Sequence, residues 1–323
     1  MKTTFREIHR ITTPLPTRPT SVHAYLVPLD AGGWMLVDGG IDTPEAWTVL
    51  SAEVDAIAGW SALEVHVVTH MHRDHIGLVQ RVRHASSVPL ALGELDAARA
   101  AHAAADPDEE DEYRDALLRR SGAPEQVREA LRSAMKRSRG MASFVAVDHR
   151  IPSSGGAAPS APEWEAVWTP GHTAGHISLF RRRDQCLIAG DAVLPSISPT
   201  IGVNRQRDDP VGDYFGTLDR LESLAPELIL PGHGSPLEGT ARIAELRAEA
   251  SEETDRIFEL LESPPRSAWE LSGYRYKGRD LPMTARIQAL RETLAHLQHL
   301  TLAGRAVRIE SDAVVRYAQS GRG

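Results

Sequence analysis

Four short stretches supply seven side chains able to bind a metal: THMHRDHIG at 69–77, GHTAGHIS at 171–178, GD at 190–191 and PGHG at 231–234. The candidates are His70, His72, Asp74, His75, His172, Asp191 and His233. Four of them fall within the six positions 70–75, directly behind the apolar run LEVHVVT (63–69), and packing alone does not account for that crowding. Imidazole nitrogens and carboxylate oxygens suit borderline divalent ions such as zinc, and a catalytic site also keeps one position for water. Two ions sharing a carboxylate bring the pKa of a bound water toward neutrality, so the series points to a two-metal hydrolase.

The elements that must position these residues are strands. LEVHVVT is short, β-branched and bounded by polar residues, as a buried strand is. His70 and His72 then point to one side of an extended segment, while Asp74 and His75 follow where the chain turns, so one loop can feed two adjacent metals. WEAVWT precedes GHTAGHIS, QCLIAGD runs into Asp191 and ELIL (227–230) delivers PGHG, which puts every cluster at a strand exit. The runs FREIHRI, SVHAYLV and GWMLVDG read as the opening strands of a first sheet. Trp47, Leu50, Val54 and Ile57 lie at helical spacing behind the starting residues Asp42, Thr43 and Pro44. A short helix is expected over 76–83, a strand at VPLAL (88–92), and a helical, charged insertion over about 94–140. Its acidic run at 106–115 reads as a solvated helix start. PSSGGAAPSAP (152–162) is a flexible loop, and 210–224 a helix. The fold class is therefore mixed α/β, with two sheets inside and helices outside.

These motifs resemble those of the metallo-β-lactamase fold superfamily, in the branch containing glyoxalase II-like hydroxyacylglutathione hydrolases and other binuclear hydrolases. The resemblance covers roughly residues 5–239 and matches all seven motif positions. It implies an αββα sandwich, with His70, His72 and His172 around one metal, Asp74, His75 and His233 around the other, and Asp191 bridging them. It also implies that Asp74 orients the attacking hydroxide as well as ligating metal. Within GHTAGHIS the resemblance assigns the ligand role to His172 and leaves His176 in the supporting structure. Asp38, in MLVDGG, would lie close to the metals, where a buried carboxylate orients a ligand; a plain strand-end turn with Gly39 and Gly40 is the alternative. Two zinc ions are the default cofactors, and iron or manganese also suits the donors.

A division follows at 239/240: residues 1–239 as catalytic domain and 240–323 as a small C-terminal domain. The tail reads as a helix to 262, a turn region at SPPRSAWEL, a helix over about 283–303 and two short strands in AGRAVRIESDAVVRYA. That order is winged-helix-like, and it resembles the tail of a ribonuclease-like group in the same superfamily, that of β-lactamase-like protein 2. From 240 onward 13 Lys and Arg stand against 12 Asp and Glu, in a chain of net charge −8, so a phosphate-tracking face is not evident. YRYKGR at 274–279 does interleave aromatic and basic residues, and Arg275, Lys277 and Arg279 could meet phosphates; a covering or packing loop ranks above that reading. Arg205 and Arg207 pose the choice between an anionic substrate and a solvated surface.

With 323 residues, 41% of them hydrophobic, the chain can bury a sizeable core. No apolar run approaches a membrane span, MKTTFREIHRITTP lacks the apolar segment of a secretory signal, and a single cysteine, Cys186, allows no internal disulfide. A cytoplasmic enzyme is the expectation, with Cys186 packed in a strand and His23, His66, His84, His102, His149, His296 and His299 structural or exposed. The preferred function is hydrolysis of a small ester, thioester or lactone by a metal-bridging hydroxide. β-Lactam hydrolysis ranks lower, because family members with that activity generally lack a carboxylate corresponding to Asp191. A metal-dependent endoribonuclease acting on single-stranded RNA is the alternative, and an iron-dependent sulfur dioxygenase uses overlapping motifs. A metal-stabilised binding protein whose tail recognises a partner or DNA is the non-enzymatic reading, and the intact ligand set counts against it. The expected partners are a small-molecule substrate and a second copy of the chain, as a homodimer.

Overall fold

The computed structural model describes residues 3–16, 18–138, 146–275, 278, 281–311 and 313–321. Among them, contacts group the chain into two units, neither of which is one continuous segment. The first comprises Met1–Ala104, Ala142–Pro199 and Thr217–Ala244; the second comprises Ala105–Met141, Thr200–Gly216 and Glu245–Gly323. The single cut expected at 239/240 differs from this grouping, which assigns most of the helical insertion and the segment 200–216 to the second unit.

The first unit is built on two sheets. One runs in sequence order through β1 (Thr3–Phe5), β2 (Ile8–Pro14), β3 (Ser21–Pro28), β4 (Trp34–Val37), β5 (Leu63–Val68), β6 (Leu90–Gly93) and β7 (His149–Ile151). Its first four strands pair antiparallel and its last four parallel. Parallel neighbours need crossovers, and the chain supplies helices there: α1 (Pro44–Ile57) after β4, then α2 (Arg73–Ile76) and α3 (Val79–Ser86) after β5. The other sheet comprises β8 (Gly156–Ala158), β9 (Ala161–Trp168), β10 (Ile177–Arg181), β11 (Cys186–Gly190), β12 (Leu228–Pro231) and β13 (Leu237–Glu238), again neighbours in sequence order.

Side-chain alternation explains the layering. In β3, Tyr25 and Val27 join a cluster with Trp164, Ile177, Leu179 and Ile188 of the other sheet, while Ala24 and Leu26 face Leu50 and Val54 of α1. In β4, Met35 and Val37 face inward and Leu36 outward in the same way. A strand buried on both faces needs a cover on each, and the second sheet and α1 provide them. Thr43 caps α1, its hydroxyl accepting from Ala46 N–H at 3.2 Å, with Pro44 in the first turn. On the second sheet, the helix Pro210–Ser223 contributes buried Leu218 and Leu221, and the Thr217 hydroxyl donates to the Pro170 carbonyl at 2.7 Å. The αββα sandwich expected from the motifs is the architecture found.

Local expectations change in several places: PSSGGAAPSAP (152–162), expected as a flexible loop, holds β8 and the start of β9, and FREIHRI, expected as one strand, is divided between β1 and β2. The helix expected over 76–83 is two helices, because Leu78 N–H donates to the Gly40 carbonyl at 3.1 Å rather than continuing the first turn. The segment expected to be a turn at SPPRSAWEL contains a strand, β14 (Arg266–Ser267), and the start of a helix, Ala268–Arg275. Ser267 and Glu270 form a capping box: Glu270 N–H donates to the serine hydroxyl at 3.3 Å, and Ser267 N–H donates to the glutamate at 2.8 Å. The tail therefore carries a three-stranded antiparallel sheet, β14 pairing with β16 (Arg316–Gln319) and β16 with β15 (Ala306–Ile309), beside helices Ala241–Glu259 and Met283–Leu302. Leu290, Leu294, Leu297 and Leu300 of the last helix are buried in that unit with Ile257, Leu271 and Tyr317. Among the described residues, no helix is long and apolar enough to cross a membrane.

Candidate metal centre

All seven expected ligands converge in the first unit, each just beyond a strand: β5 for the first four, β9 for His172, β11 for Asp191 and β12 for His233. Three groups have donor atoms within 4.8 Å of one another: His70, His72 and His172; His70, His75 and Asp191; Asp74, His75 and His233. His72 Nδ1 lies 3.0 Å from His70 Nε2 and 2.8 Å from His172 Nε2. Asp191 stands between the outer groups, its Oδ2 3.5 Å from both His172 Nε2 and His233 Nε2, and its Oδ1 3.4 Å from His75 Nε2. His233 Nε2 also lies 3.3 Å from Asp74 Oδ2.

Supporting hydrogen bonds select which ring nitrogen faces the centre. His75 Nδ1–H donates to Asp38 Oδ2 at 2.8 Å and His233 Nδ1–H to the Ser21 carbonyl at 2.7 Å, so Nε2 is the nitrogen of each ring that faces inward. Asp38 also accepts from Thr69 N–H at 2.7 Å, so it fixes both the start of the ligand loop and one of its imidazoles. It does so with φ of 57°, a left-handed conformation that Asp tolerates better than most residues. Asp38 thus makes a strand-end turn and at the same time orients the ring of the candidate ligand His75. His176 is turned the other way: its Nε2 accepts from Asp191 N–H at 3.1 Å and its Nδ1–H donates to Thr169 at 2.8 Å. Both ring nitrogens are occupied, so His176 holds the backbone of Asp191 in place.

The electrostatics are those of a cation site. Burial and the neighbouring imidazoles hold His70 well below its ordinary range, and burial with His172 takes His72 down to about 3, so both rings are neutral donors. Burial would lower His75 as well, but the carboxylates of Asp38 and Asp191 overcome it and raise that ring well above its usual range. His233 is pushed up to about 10, burial being outweighed by Asp191 and Asp74. The same pairings outweigh burial in bringing Asp74 down to about 2 and Asp191 well below the carboxylate range. Ionised carboxylates among five imidazoles draw positive charge inward. Two buried atoms, His75 Nε2 and Asp191 Oδ1, meet no hydrogen-bond partner while facing each other, as ligand atoms would. The donor set therefore fits divalent ions of the zinc, iron and manganese type.

Sequence reasoning missed several supports. His66, buried in β5, donates from Nε2 to the Asp38 carbonyl at 3.1 Å. His23 binds the PGHG loop twice, donating its backbone N–H to the Gly232 carbonyl and its ring Nε2–H to the Gly234 carbonyl, each at 2.8 Å. Asp96 is buried between two ligand loops and had no motif to announce it. Arg205 and Arg207 are paired with carboxylates, Glu109 at 2.6 Å and Asp213 at 2.7 Å, and both side chains stay partly open to solvent. Lys277 and Arg279 lie outside the described residues, as does the side chain of Arg275.

The family described as "Metallo-beta-lactamase superfamily" matches residues 17–233, and "Metallo-beta-lactamase-like, C-terminal domain" matches 254–320. The chain is 27% identical over 287 residues to the probable metallo-hydrolase YqjP of Bacillus subtilis, covering 83% of this chain and 84% of that protein. A β-lactamase domain protein from Burkholderia ambifaria is 28% identical with a TM-score of 0.82, covering 97% of this chain and 92% of its own. A metallo-β-lactamase family protein from Thermus thermophilus is 27% identical with a TM-score of 0.79, covering 97% of this chain and 98% of its own. Since the family match runs from the approach to β3 through to the last candidate ligand, the chain belongs to the metallo-β-lactamase superfamily.

Proposed function

We propose that this metallo-hydrolase cleaves a small ester, thioester or lactone at a binuclear centre. His70, His72 and His172 would hold one divalent ion and Asp74, His75 and His233 the second, with Asp191 shared. The observation that carries the reading is the position of Asp191 Oδ2, 3.5 Å from a histidine nitrogen of each set. Bound there, such a pair of ions acidifies water and polarises a substrate oxygen. Asp74 is the more open of the two carboxylates, 29% exposed against 8% for Asp191, with one oxygen near His233, which supports a role for it in orienting a water. Its depressed pKa keeps it ionised and accepting at neutral pH.

A thioester or related acyl substrate is supported by a shorter match, 29% identical over 91 residues, to the atrochrysone carboxyl ACP thioesterase of Aspergillus fumigatus. The net charge of −8 speaks against a polyanionic substrate. RNA is the second reading, supported by a 26% identity over 140 residues to a β-lactamase-like protein 2 homolog of Caenorhabditis elegans. Zinc is the ion proposed. The test is turnover of the metal-loaded protein on a panel of thioesters, lactones, esters and single-stranded RNA, beside His70→Ala and Asp191→Ala variants. Metal-dependent acyl hydrolysis abolished in both variants is the expected result. Unchanged turnover in the variants, or cleavage of RNA alone, would overturn it.

A further inference from the structure

The geometry points to Asp96 as a positioning residue that sets metal affinity, an inference that rests on the metal-binding reading above. Asp96 is the third residue of the helix Glu94–Ala105, just past β6, and is 1% exposed. Its Oδ2 accepts from Met71 N–H at 2.9 Å and from the Thr173 hydroxyl at 2.7 Å, and its Oδ1 accepts from Gly175 N–H at 2.7 Å. Met71 stands between His70 and His72, while Thr173 and Gly175 follow His172. One carboxylate therefore clasps the two loops that carry all three imidazoles of the first candidate sphere. The fit has no slack, since a β-carbon added at Gly175 would overlap the backbone of Asp96, and one added at Gly93 would overlap the Gly175 carbonyl.

All three donors are uncharged, so the clasp works through direction rather than through a counter-charge. Asparagine reproduces the shape of Asp96 but offers an acceptor on one branch only. Its amide nitrogen must face either Met71 N–H or Gly175 N–H, and in both cases two donors oppose each other across a buried contact. One ligand loop is then pushed from the other, and the 2.8 Å approach of His72 Nδ1 to His172 Nε2 opens.

The experiment measures zinc affinity by competition with a chromophoric chelator, the absorption spectrum of the cobalt-substituted protein, and urea unfolding of the metal-free protein. The variants are Asp96→Asn, Thr173→Ala and, as a destabilised control on the outer face of the first sheet, Leu50→Ala. Asp96→Asn is expected to weaken zinc binding by about 10- to 100-fold and to alter the cobalt spectrum. Thr173→Ala, which removes one donor of the three, should move both in the same direction by less. Leu50→Ala should lower unfolding stability while leaving affinity and spectrum unchanged. Wild-type affinity in Asp96→Asn, or in Thr173→Ala should the first variant not fold, would overturn the inference, as would an equal loss in Leu50→Ala. A wild-type protein that binds no zinc would sink the metal reading itself.

Discussion

Asp38→Asn should uncouple the second candidate ion from the first. The carboxylate lies in a fully buried contact, His75 Nδ1 to Asp38 Oδ2 at 2.8 Å with side chains 0% and 2% exposed, so solvent screening does not dilute its effect. Asparagine keeps the shape and tolerates φ of 57°, so backbone strain does not enter. Its single carbonyl oxygen can satisfy either Thr69 N–H or His75 Nδ1–H. If Thr69 keeps it, the amide donates to His75 Nδ1, and the neutral ring then carries its one proton on Nε2, the nitrogen that faces Asp191 Oδ1 across 3.4 Å. A protonated Nε2 cannot ligate. Loss of the charge-assisted bond costs about 1.5–3 kcal/mol of folding stability. Second-ion affinity should fall about 10- to 100-fold, equivalent to about 1.4–2.8 kcal/mol. The sphere of His70, His72 and His172, none of which bonds Asp38 directly, should lose less. Stepwise zinc titration of the metal-free variant against a competing chelator reads both constants. Two ions bound at wild-type affinities would refute the assignment of Asp38 as the residue that sets the His75 tautomer.

Acid stability provides a second check. His66 is buried and lowered to about 4, mainly by burial, against 6.5 when unfolded. A His depressed in the folded state contributes stability above the unfolded value and loses it as pH falls toward the folded one, so the loss runs from 6.5 down to about 4. Between pH 7 and 5 that difference is about 2 kcal/mol. His66→Gln, which can still donate to the Asp38 carbonyl, should therefore lose about 2 kcal/mol less than wild type over the same interval in urea unfolding; identical losses would refute the attribution. Cys186 is fully buried and its thiol is pushed up to about 12 by burial, so iodoacetamide at pH 8 should leave it unlabelled, by mass spectrometry, until denaturant is added. Ser267→Ala removes the capping box of the tail helix and should cost about 1 kcal/mol in unfolding, and no change would show the cap to be idle.

The candidate metal centre was legible in the sequence because ligand chemistry restricts residue types. Imidazole and carboxylate donors cannot be exchanged for leucine, and their crowding at 70–75 survives as a readable pattern. The supports were harder to see. Asp96 acts by accepting backbone N–H groups of residues 25 and 79 positions away, and no spacing announces such a contact. His23 and His66 act through carbonyl groups in the same way. Layering followed from alternation, since β3 and β4 are apolar on both faces and need two covers. The grouping of 105–141 and 200–216 with the tail depends on long-range contacts that local periodicity does not encode. The helix at Ala268–Arg275 was concealed by the prolines before it, although the Ser267 and Glu270 pair was there to be read.

The most direct test is one titration of zinc into metal-free protein, with hydrolysis of a simple thioester followed at each addition. The binuclear account predicts little turnover at the first equivalent and a rise that saturates at the second. Full activity at one equivalent, or turnover indifferent to the metal, would contradict it.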